Sequence, residues 1–179
     1  ALMSKFPQGA PSVNLLAVDT ATEGCSAACL TGDKSFERYA VDPQGHSRTL
    51  LGMVEAVLAE ARLEGSSLGA LAYDAGPGSF TGIRIGAGVA QGLALGLEKP
   101  LLAVSSLMTL AEGVRRDQPS CNSVLAAIDA RMDQVYWARL RSDPEAPGHW
   151  RWDEMPCVSE PREVAVHISG CTGVGSGWD

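Results

Sequence analysis

The sequence predicts an α/β fold in which one β-β-β-α-β-α-β-α unit is built twice to give two lobes. Each half opens with a short apolar strand that ends in an aspartate, Asp19 in the first and Asp129 in the second. The segment 125–140 (LAAIDARMDQVYWARL) aligns without gaps on 15–30 (LLAVDTATEGCSAACL), at an offset of 110 residues. At that offset, the amphipathic helix near 50–59 predicts a second helix at 160–169. Two copies of one supersecondary unit explain these matches better than chance.

The first copy carries a signal for each element. A buried strand at 14–20 is followed by two hairpin strands, CSAACLT and SFERYAV, with turn residues before each. A helix is expected from Ser47, as its N-cap, to about Leu63, because its apolar residues fall on one stripe. The remaining predicted elements are a strand at 70–76, a glycine-rich helix within 76–98, a strand at 100–106 and a helix at 106–116.

The second copy is expected to be incomplete. After the helix at 160–169, the segment TGVGSGWD resembles the fourth strand of the unit. Ordinary element and loop lengths then predict about 40 to 50 further residues in a complete second lobe. The expected organisation is a flexible lead-in or expression remnant at 1–13, an N-terminal lobe at 14–118 and a partial C-terminal lobe at 119–179.

Composition narrows the class of function. The 179 residues carry a net charge of −7, and their mean hydropathy is +0.03, which is typical of a globular protein. An acidic chain is poorly suited to hold RNA phosphates directly. No run approaches the ~18 apolar residues of a membrane span and no signal peptide is present, so a cytoplasmic location without membrane contact is expected.

The five cysteines are interpreted as ordinary buried side chains. Cys25 and Cys29 are four residues apart in a strand, so both point to the same face. Their spacing is not that of a zinc knuckle, and a reducing compartment disfavours disulfides.

The stretch GPGSFTGIRIGAGVAQGLALGLE contains the most informative pattern. Five glycines in its helix cost about 5 kcal/mol of helix stability relative to alanine. They form two ridges of small residues: Gly82, Gly86, Ala90 and Ala94 on one, and Gly88, Gly92 and Gly96 on the other. Small ridges allow close backbone approach, so one ridge is expected to pack on its own sheet and the second on another helix or chain.

These residues resemble a known family. The duplicated unit with strands that end in Asp is the layout of the actin-like ATPase (ribonuclease H-like) superfamily, which includes sugar kinases and Hsp70. Within it, AVDTATEGCSAA, HSRTLLGMVEAVL, AYDAGPGSFTGIRIGAGVAQGLALGL, VSSLMTLAEG and AAIDARMDQVYWA resemble the bacterial TsaB (YeaZ) family. The GPGSFTGIRIG block is shared in part with the catalytic relative TsaD, whereas DARMDQVYW is more specific to TsaB.

The resemblance implies a role in making N6-threonylcarbamoyladenosine beside the anticodon of tRNA. It implies a non-catalytic subunit that binds and activates a TsaD-type transferase, with a TsaE-type ATPase joining the assembly. It further implies a homodimer when the chain is alone, contact with tRNA only through partners, and no cofactor of its own. ATP or ADP is then expected only at a joint interface with partners.

The loop chemistry agrees with a chain that is not an independent ATPase. Ala21 stands where the first phosphate loop of the superfamily needs glycine, and the second loop, 129–133, has neither glycine nor a hydroxyl. Gly76, Gly78 and Ser79 lie before a helix and could hold an anion through backbone N–H groups. The alternative, a tight strand-to-helix turn that needs glycine, is favoured; Asp74 just before the loop also disfavours an anion.

Two other classes of enzyme stay open as alternatives. A metallopeptidase that cleaves a partner protein needs metal-ligand spacing, but His46, His149 and His167 form no His-x-x-x-His or HExxH pair, and His46 is interpreted as a solvated neighbour of a helix start. A small-molecule kinase needs the phosphate loops that Ala21 and 129–133 do not supply.

The contact face is predicted to lie on the first two helices and to meet the same pair of helices on TsaD or on a second copy of this chain. The interface residues expected there are Leu50, Val54, Val57, Ile83, Gly86, Val89, Ala90, Gly92 and Leu93.

Overall fold

The computed structural model describes residues 13–42, 45–146, 148–164 and 170–178. The chain divides into two compact units, one with residues 13–75 and Ser79–Val104, the other with Gly76–Gly78 and 105–178. The predicted lead-in at 1–13, apart from Val13, and part of the predicted helix at 160–169 lie outside the described residues.

The first unit has a five-stranded sheet in the order β3-β2-β1-β4-β5. Strand β1 is central because its run LLAVD is apolar up to its final aspartate; it pairs antiparallel with β2 and parallel with β4. The elements in chain order are β1 (Leu15–Asp19), β2 (Gly24–Thr31), β3 (Lys34–Val41), α1 (His46–Ala61), a 3₁₀ turn (Gly65–Ser67), β4 (Ala70–Asp74), α2 (Phe80–Leu97) and β5 (Leu101–Val104).

The core of this unit lies between the sheet and the two helices. It includes Cys25 and Cys29, which confirms that both thiols point to one buried face. Helix α1 begins earlier than predicted, because Gly45, two residues before Ser47, occupies the N-cap position. It ends at Ala61, and Arg62 follows as the C-cap: its φ of 57° is left-handed and its N–H bonds back to the last turn.

The second unit has a four-stranded sheet in the order β8-β7-β6-β9. Its central strand β6 is buried on both faces over its first six residues. The elements are α3 (Ser106–Asp117), β6 (Ser123–Arg131), β7 (Gln134–Ser142), β8 (Trp150–Ser159), α4 (Pro161–Val164), β9 (Thr172–Val174) and a final 3₁₀ turn (Ser176–Trp178).

The two sheets confirm the predicted duplication. In both sheets, the first strand pairs antiparallel with the second, and the second pairs antiparallel with the third. On its other side, the first strand pairs parallel with the fourth. This strand order, with a helix after the third strand in both units and after the fourth strand in the first, is the ribonuclease H-like arrangement of the actin-like fold.

The predicted boundary between lobes at 118/119 needs correction. Helix α3 belongs to the second unit, so the boundary lies after Val104. The reason is packing: Leu107, Ala111 and Val114 of α3 share a buried cluster with residues of β6 and β7. An amphipathic helix joins whichever sheet covers its apolar stripe, and the stripe itself does not identify that sheet.

The register of the second hairpin also differs from the gap-free alignment. In the first hairpin Leu16 pairs with Cys29. The offset of 110 residues therefore predicts that Ala126 pairs with Arg139 in the second hairpin. The structure instead pairs Ala126 with Ala138. An irregularity between Asp129 and Arg131 takes up the extra residue.

Candidate functional site

The inner ridge of α2 packs on the end of β1. Gly82, Gly86, Ala90 and Ala94 are buried. A Cβ on Gly82 would lie 1.9 Å from the backbone oxygen of Thr20, and one on Gly86 would lie 2.6 Å from Thr20 Oγ1. Thr20 Oγ1 also donates a hydrogen bond of 2.7 Å to the Gly82 carbonyl oxygen. One of the two small ridges therefore packs closely inside the unit, as predicted, although the sequence did not indicate which one.

The outer ridge of α2 faces open space. A Cβ on Gly88, Gly92 or Gly96 would have no atom of another element within 4 Å. The large side chains beside this ridge are exposed too: Phe80 by 73% and Leu95 by 82%. We call the exposed residues of this helix the outer face of α2: Phe80, Thr81, Arg84, Gly88, Gln91, Gly92, Leu95 and Gly96.

One end of the outer face carries an ordered cation–aromatic pair. The Arg84 guanidinium carbon lies 3.4 Å from the centroid of the Phe80 ring. Arg84 Nη1 also donates a 2.8 Å hydrogen bond to the Phe80 carbonyl oxygen. These two contacts hold both side chains in place on a surface, and such a preorganised aromatic and arginine pair suits protein recognition.

The other end of the outer face leads into a shallow groove. It has a volume of about 440 Å³, and Gln91, Leu95 and Glu98 of the α2 end line it with Lys99 and Leu101. The mixture of apolar side chains and charged ends is suited to a helix or strand of a partner rather than to a small enclosed ligand.

The predicted interface residues divide into two groups. Leu50, Val54 and Val57 of α1, and Gly86 and Ala90 of α2, are buried in the core of the first unit. Their predicted role as contact residues is corrected, because a partner reaches them only if that core opens. The three half-buried apolar residues Ile83, Val89 and Leu93 and the exposed Gly92 lie toward the surface, and their contact role stays a prediction.

The sequence interpretation missed Phe80, Arg84 and Leu95. The periodicity contained the signal, because Phe80, Arg84 and Gly88 follow one another at intervals of four. They were overlooked because the expectation was based on small and apolar residues near the core stripe.

Helix α2 is relevant to the prediction that the chain has no membrane-spanning segment. Within the described ranges, it is the one helix that is long and apolar enough to cross a membrane, with 18 residues and a mean hydropathy of 1.2. The expectation that no run approaches this limit is therefore corrected. Only 22% of this segment is buried in the structure, and Arg84 and Gln91 lie on its exposed face.

The predicted anion loop is built as a turn. Ser79 caps α2: its Oγ accepts a 3.2 Å hydrogen bond from Gly82 N–H, and its own N–H donates to the Ala21 carbonyl oxygen at 2.6 Å. In the second unit, the Gly76 oxygen accepts from Ser106 N–H, and the φ of +95° at Gly76 requires glycine. Gly78 is half-buried. Anion binding by these three residues stays a prediction.

The two strand-ending aspartates make the same local contact. Asp19 Oδ1 accepts from Ala21 N–H at 2.8 Å, and Asp129 Oδ1 accepts from Arg131 N–H at 2.7 Å. Burial raises the pKa of Asp19, against the lowering effects of the Ala21 hydrogen bond and of His46. His46 is itself buried, with Nε2 at 3.3 Å from the Glu23 carbonyl oxygen, so its interpretation as a solvated residue is corrected.

The turns after these aspartates differ between the two copies. In the first, the N–H groups of Ala21 and Gly24 bond to the side chains of Asp19 and Thr22, so two amides of the turn are already used. In the second, Arg131 pairs with Gln134, which leaves only Met132 and Asp133 in the turn. Neither turn is an open ring of amides of the kind that wraps a phosphate.

Comparison with known proteins gives the family. The family model described as "TsaD: tRNA N6-adenosine threonylcarbamoyltransferase" matches residues 41–146. The tRNA threonylcarbamoyladenosine biosynthesis protein TsaB of Escherichia coli (strain K12) is 43% identical over 170 residues, covering 93% of this chain and 72% of that protein. Its counterpart in Haemophilus influenzae is 36% identical, covering 93% and 73%.

A solved structure agrees. YeaZ from Pseudomonas aeruginosa has a TM-score of 0.83 and 43% identity, covering 93% of this chain and 77% of that one. The resemblance seen in the sequence motifs is thereby confirmed, and the chain belongs to the TsaB (YeaZ) family.

Proposed function

We propose that this chain is a non-catalytic subunit of the machinery that makes N6-threonylcarbamoyladenosine in tRNA, and that it binds and activates a TsaD-type transferase through the outer face of α2. Family membership supports the role in tRNA modification, because the curated relatives are named for it. The contact with a transferase is supported by the geometry of α2.

The outer face of α2 is the observation that carries this proposal. Phe80 and Leu95 are exposed on it, and the open glycine ridge between them presents bare backbone. A partner helix can approach such a ridge closely, and the two large side chains can then fill pockets on either side. Exposed apolar surface of this kind on a folded unit typically marks an interaction site.

The turns after Asp19 and Asp129 support a subunit without its own phosphate chemistry. In the first turn, the N–H groups of Ala21 and Gly24 are already bonded to side chains, and the second turn has only two residues, so few donors are left for a nucleotide. ATP or ADP is proposed to bind only where partners join. A TsaE-type ATPase, pairing of the chain with itself in the absence of TsaD, tRNA contact through partners and a cytoplasmic location belong to the same proposal.

Substitution of Gly92 tests the contact. Gly92→Leu adds a side chain in open space, so the unit should fold, but a partner helix would meet the new side chain. The affinity for the TsaD-type protein of the same organism should fall by about tenfold or more, which is ~1.4 kcal/mol. Light-scattering gel filtration and calorimetry measure this association. Threonylcarbamoyl transfer to tRNA by that partner should fall in parallel.

Gly113→Leu is the matched control. Gly113 lies in α3, is exposed and likewise has no atom within 4 Å of an added Cβ, so the same substitution leaves the outer face intact. Association of the Gly92→Leu protein at the affinity of the Gly113→Leu protein would contradict the proposed contact. Gly86→Leu is unsuitable, because the new side chain would collide with Thr20 and disturb the fold.

The metallopeptidase alternative has no supporting observation. In the part of the chain that the structure describes, no group of three His, Cys, Asp or Glu side chains could hold a metal ion. Peptide cleavage by the purified chain that a chelator abolishes would revive this alternative.

A further inference from the structure

Three arginines of the second unit line one groove. Arg115 comes from α3, Arg141 from β7 and Arg151 from β8, and the groove between them has a volume of about 530 Å³. Asn122 and Ser142 add neutral polar side chains to its wall. The chain has only 14 Lys and Arg residues and a net charge of −7, so the convergence of three guanidinium groups from three elements is not a result of a basic composition.

Two of these arginines are direct cross-strand neighbours. Arg141 of β7 lies opposite Arg151 of β8 in the antiparallel register. Side chains at such positions stand on the same face of the sheet, and like charges there destabilise the pair. Asp153 offsets part of this repulsion: its Oδ2 lies 3.0 Å from Arg141 Nη2 and 2.8 Å from Arg139 Nε. Among the described residues no carboxylate forms an ion pair with Arg151.

The third arginine, Arg115, is held by an ion pair that leaves one of its guanidinium nitrogens available to a ligand. Arg115 Nε and Nη2 both bond to the Glu112 carboxylate, which fixes the plane of the guanidinium. Its Nη1 is not used in that pair and lies 3.8 Å from the position that a Cβ on Gly148 would take. The missing side chain at Gly148 therefore leaves room beside this nitrogen, at the groove wall.

Nearby carboxylates limit the size of the anion that fits. Asp143 lines the groove, although its Oδ1 is occupied by the N–H of Glu145 at 2.9 Å. Glu112 and Asp153 stand behind Arg115 and Arg141. The positive region is thus confined to the space between the three guanidinium groups, which suits a single phosphate group rather than several phosphates at once.

We propose that the groove between Arg115, Arg141 and Arg151 binds one phosphate group, whose oxygens accept hydrogen bonds from the three guanidinium groups. Arginine recognises phosphate well because its planar fork of N–H donors matches the spacing of the oxygens. The group belongs either to a small phosphorylated compound or to the backbone of RNA, and the chemistry of recognition is the same for both.

A titration with inorganic phosphate tests the site. The side-chain Nε–H signals of the arginines are followed by NMR at constant pH and ionic strength, with chloride as the reference anion. We expect saturable shifts at Arg115, Arg141 and Arg151. Arg151→Gln should lower the affinity for phosphate about tenfold or more, because one of three charge-assisted contacts is lost. Arg62→Gln is the matched control: Arg62 is exposed in the first unit, and this variant should bind as the unchanged protein does.

Stability provides a second readout that separates binding from folding. Removal of one of two facing arginines relieves repulsion, so Arg151→Gln should keep or raise the Tm without phosphate and lose the rise in Tm that phosphate gives the unchanged protein. Shifts that stay linear with phosphate, or equal affinity in Arg151→Gln, would overturn the proposal.

Two further probes identify the source of the phosphate. One is adenosine monophosphate, and the other is a short single-stranded RNA without terminal phosphate. Shifts of the same arginines with the RNA, weakened in Arg151→Gln, support a backbone phosphodiester; shifts with the monophosphate alone support a small compound. Binding of neither probe, together with no saturation by inorganic phosphate, would overturn the site.

Discussion

The Cβ of any residue that replaced Gly82 would lie 1.9 Å from the backbone oxygen of Thr20. Thr20 also donates its hydroxyl hydrogen to the Gly82 carbonyl oxygen, at 2.7 Å. The end of β1 and the first turn of α2 are therefore in direct backbone contact. This contact turns the inner ridge toward the core and the outer face of α2 away from it.

Gly82→Ala should destabilise the protein by about 3 kcal/mol, because the added methyl group overlaps a backbone atom that cannot rotate away. Gly88→Ala is the matched control: it is a helical glycine in open space and should gain ~1 kcal/mol from helix propensity alone. Urea unfolding measures the free energy of unfolding of each variant and of the unchanged protein. Equal stability of the two variants would contradict the close packing at Thr20.

The sequence predicted both ridges of α2 but not which of them is exposed. Periodicity fixes the angle between Gly82 and Gly92 on the helix, whereas the sheet decides which side is covered. For the same reason Leu50, Val54 and Val57 were expected on a contact face and instead lie in the core. An apolar stripe predicts burial, and a partner can be inferred only from what stays uncovered.

The duplication was also predictable, because strand-ending aspartates and a constant offset mark equivalent positions. The register of the second hairpin was not, since the extra residue between Asp129 and Arg131 leaves no compositional signal. Glycine usually marks a backbone with positive φ, but Arg131, Met132 and Asp133 adopt such values with ordinary side chains.

Met132→Gly should stabilise the second unit by ~1 kcal/mol, because the side chain is 91% exposed and its φ of 56° is unfavourable for any residue with a Cβ. Met132→Ala keeps the Cβ and should give no such gain. Thermal unfolding of the pair separates backbone strain from loss of the methionine side chain. A gain in both variants would mean that the side chain, not φ, is responsible.

Asp19→Asn should raise stability at neutral pH. Burial raises the pKa of Asp19 from 3.8, so the folded state binds its proton more tightly than the unfolded state does. Stability of the unchanged protein then falls as pH rises from 3.8 through the folded pKa, because the unfolded chain binds fewer protons in that window. Asparagine keeps an acceptor for Ala21 N–H without the charge.

Urea unfolding of the unchanged protein and of the Asp19→Asn variant across this pH range measures the effect. The advantage of Asp19→Asn should shrink as pH falls and disappear below 3.8, where the aspartate is protonated in both states. A constant difference at every pH would show that the charge is not its cause.

Phe80→Ala should separate association from folding. The Phe80 ring is 73% exposed and its ordered contact is with Arg84 of the same helix, so its removal should change the free energy of unfolding by less than about 0.5 kcal/mol. If the outer face of α2 meets a TsaD-type partner, the same change should weaken the complex by ~2 kcal/mol, or about 30-fold, because exposed aromatic anchors dominate interface energies. Met155→Ala removes a side chain that is 67% exposed on β8 and should leave the complex unchanged.

Arg84→Ala and the variant with both substitutions complete a double-mutant cycle with Phe80→Ala. A coupling energy near zero in the complex would mean that the cation–aromatic pair does not act as a unit in recognition.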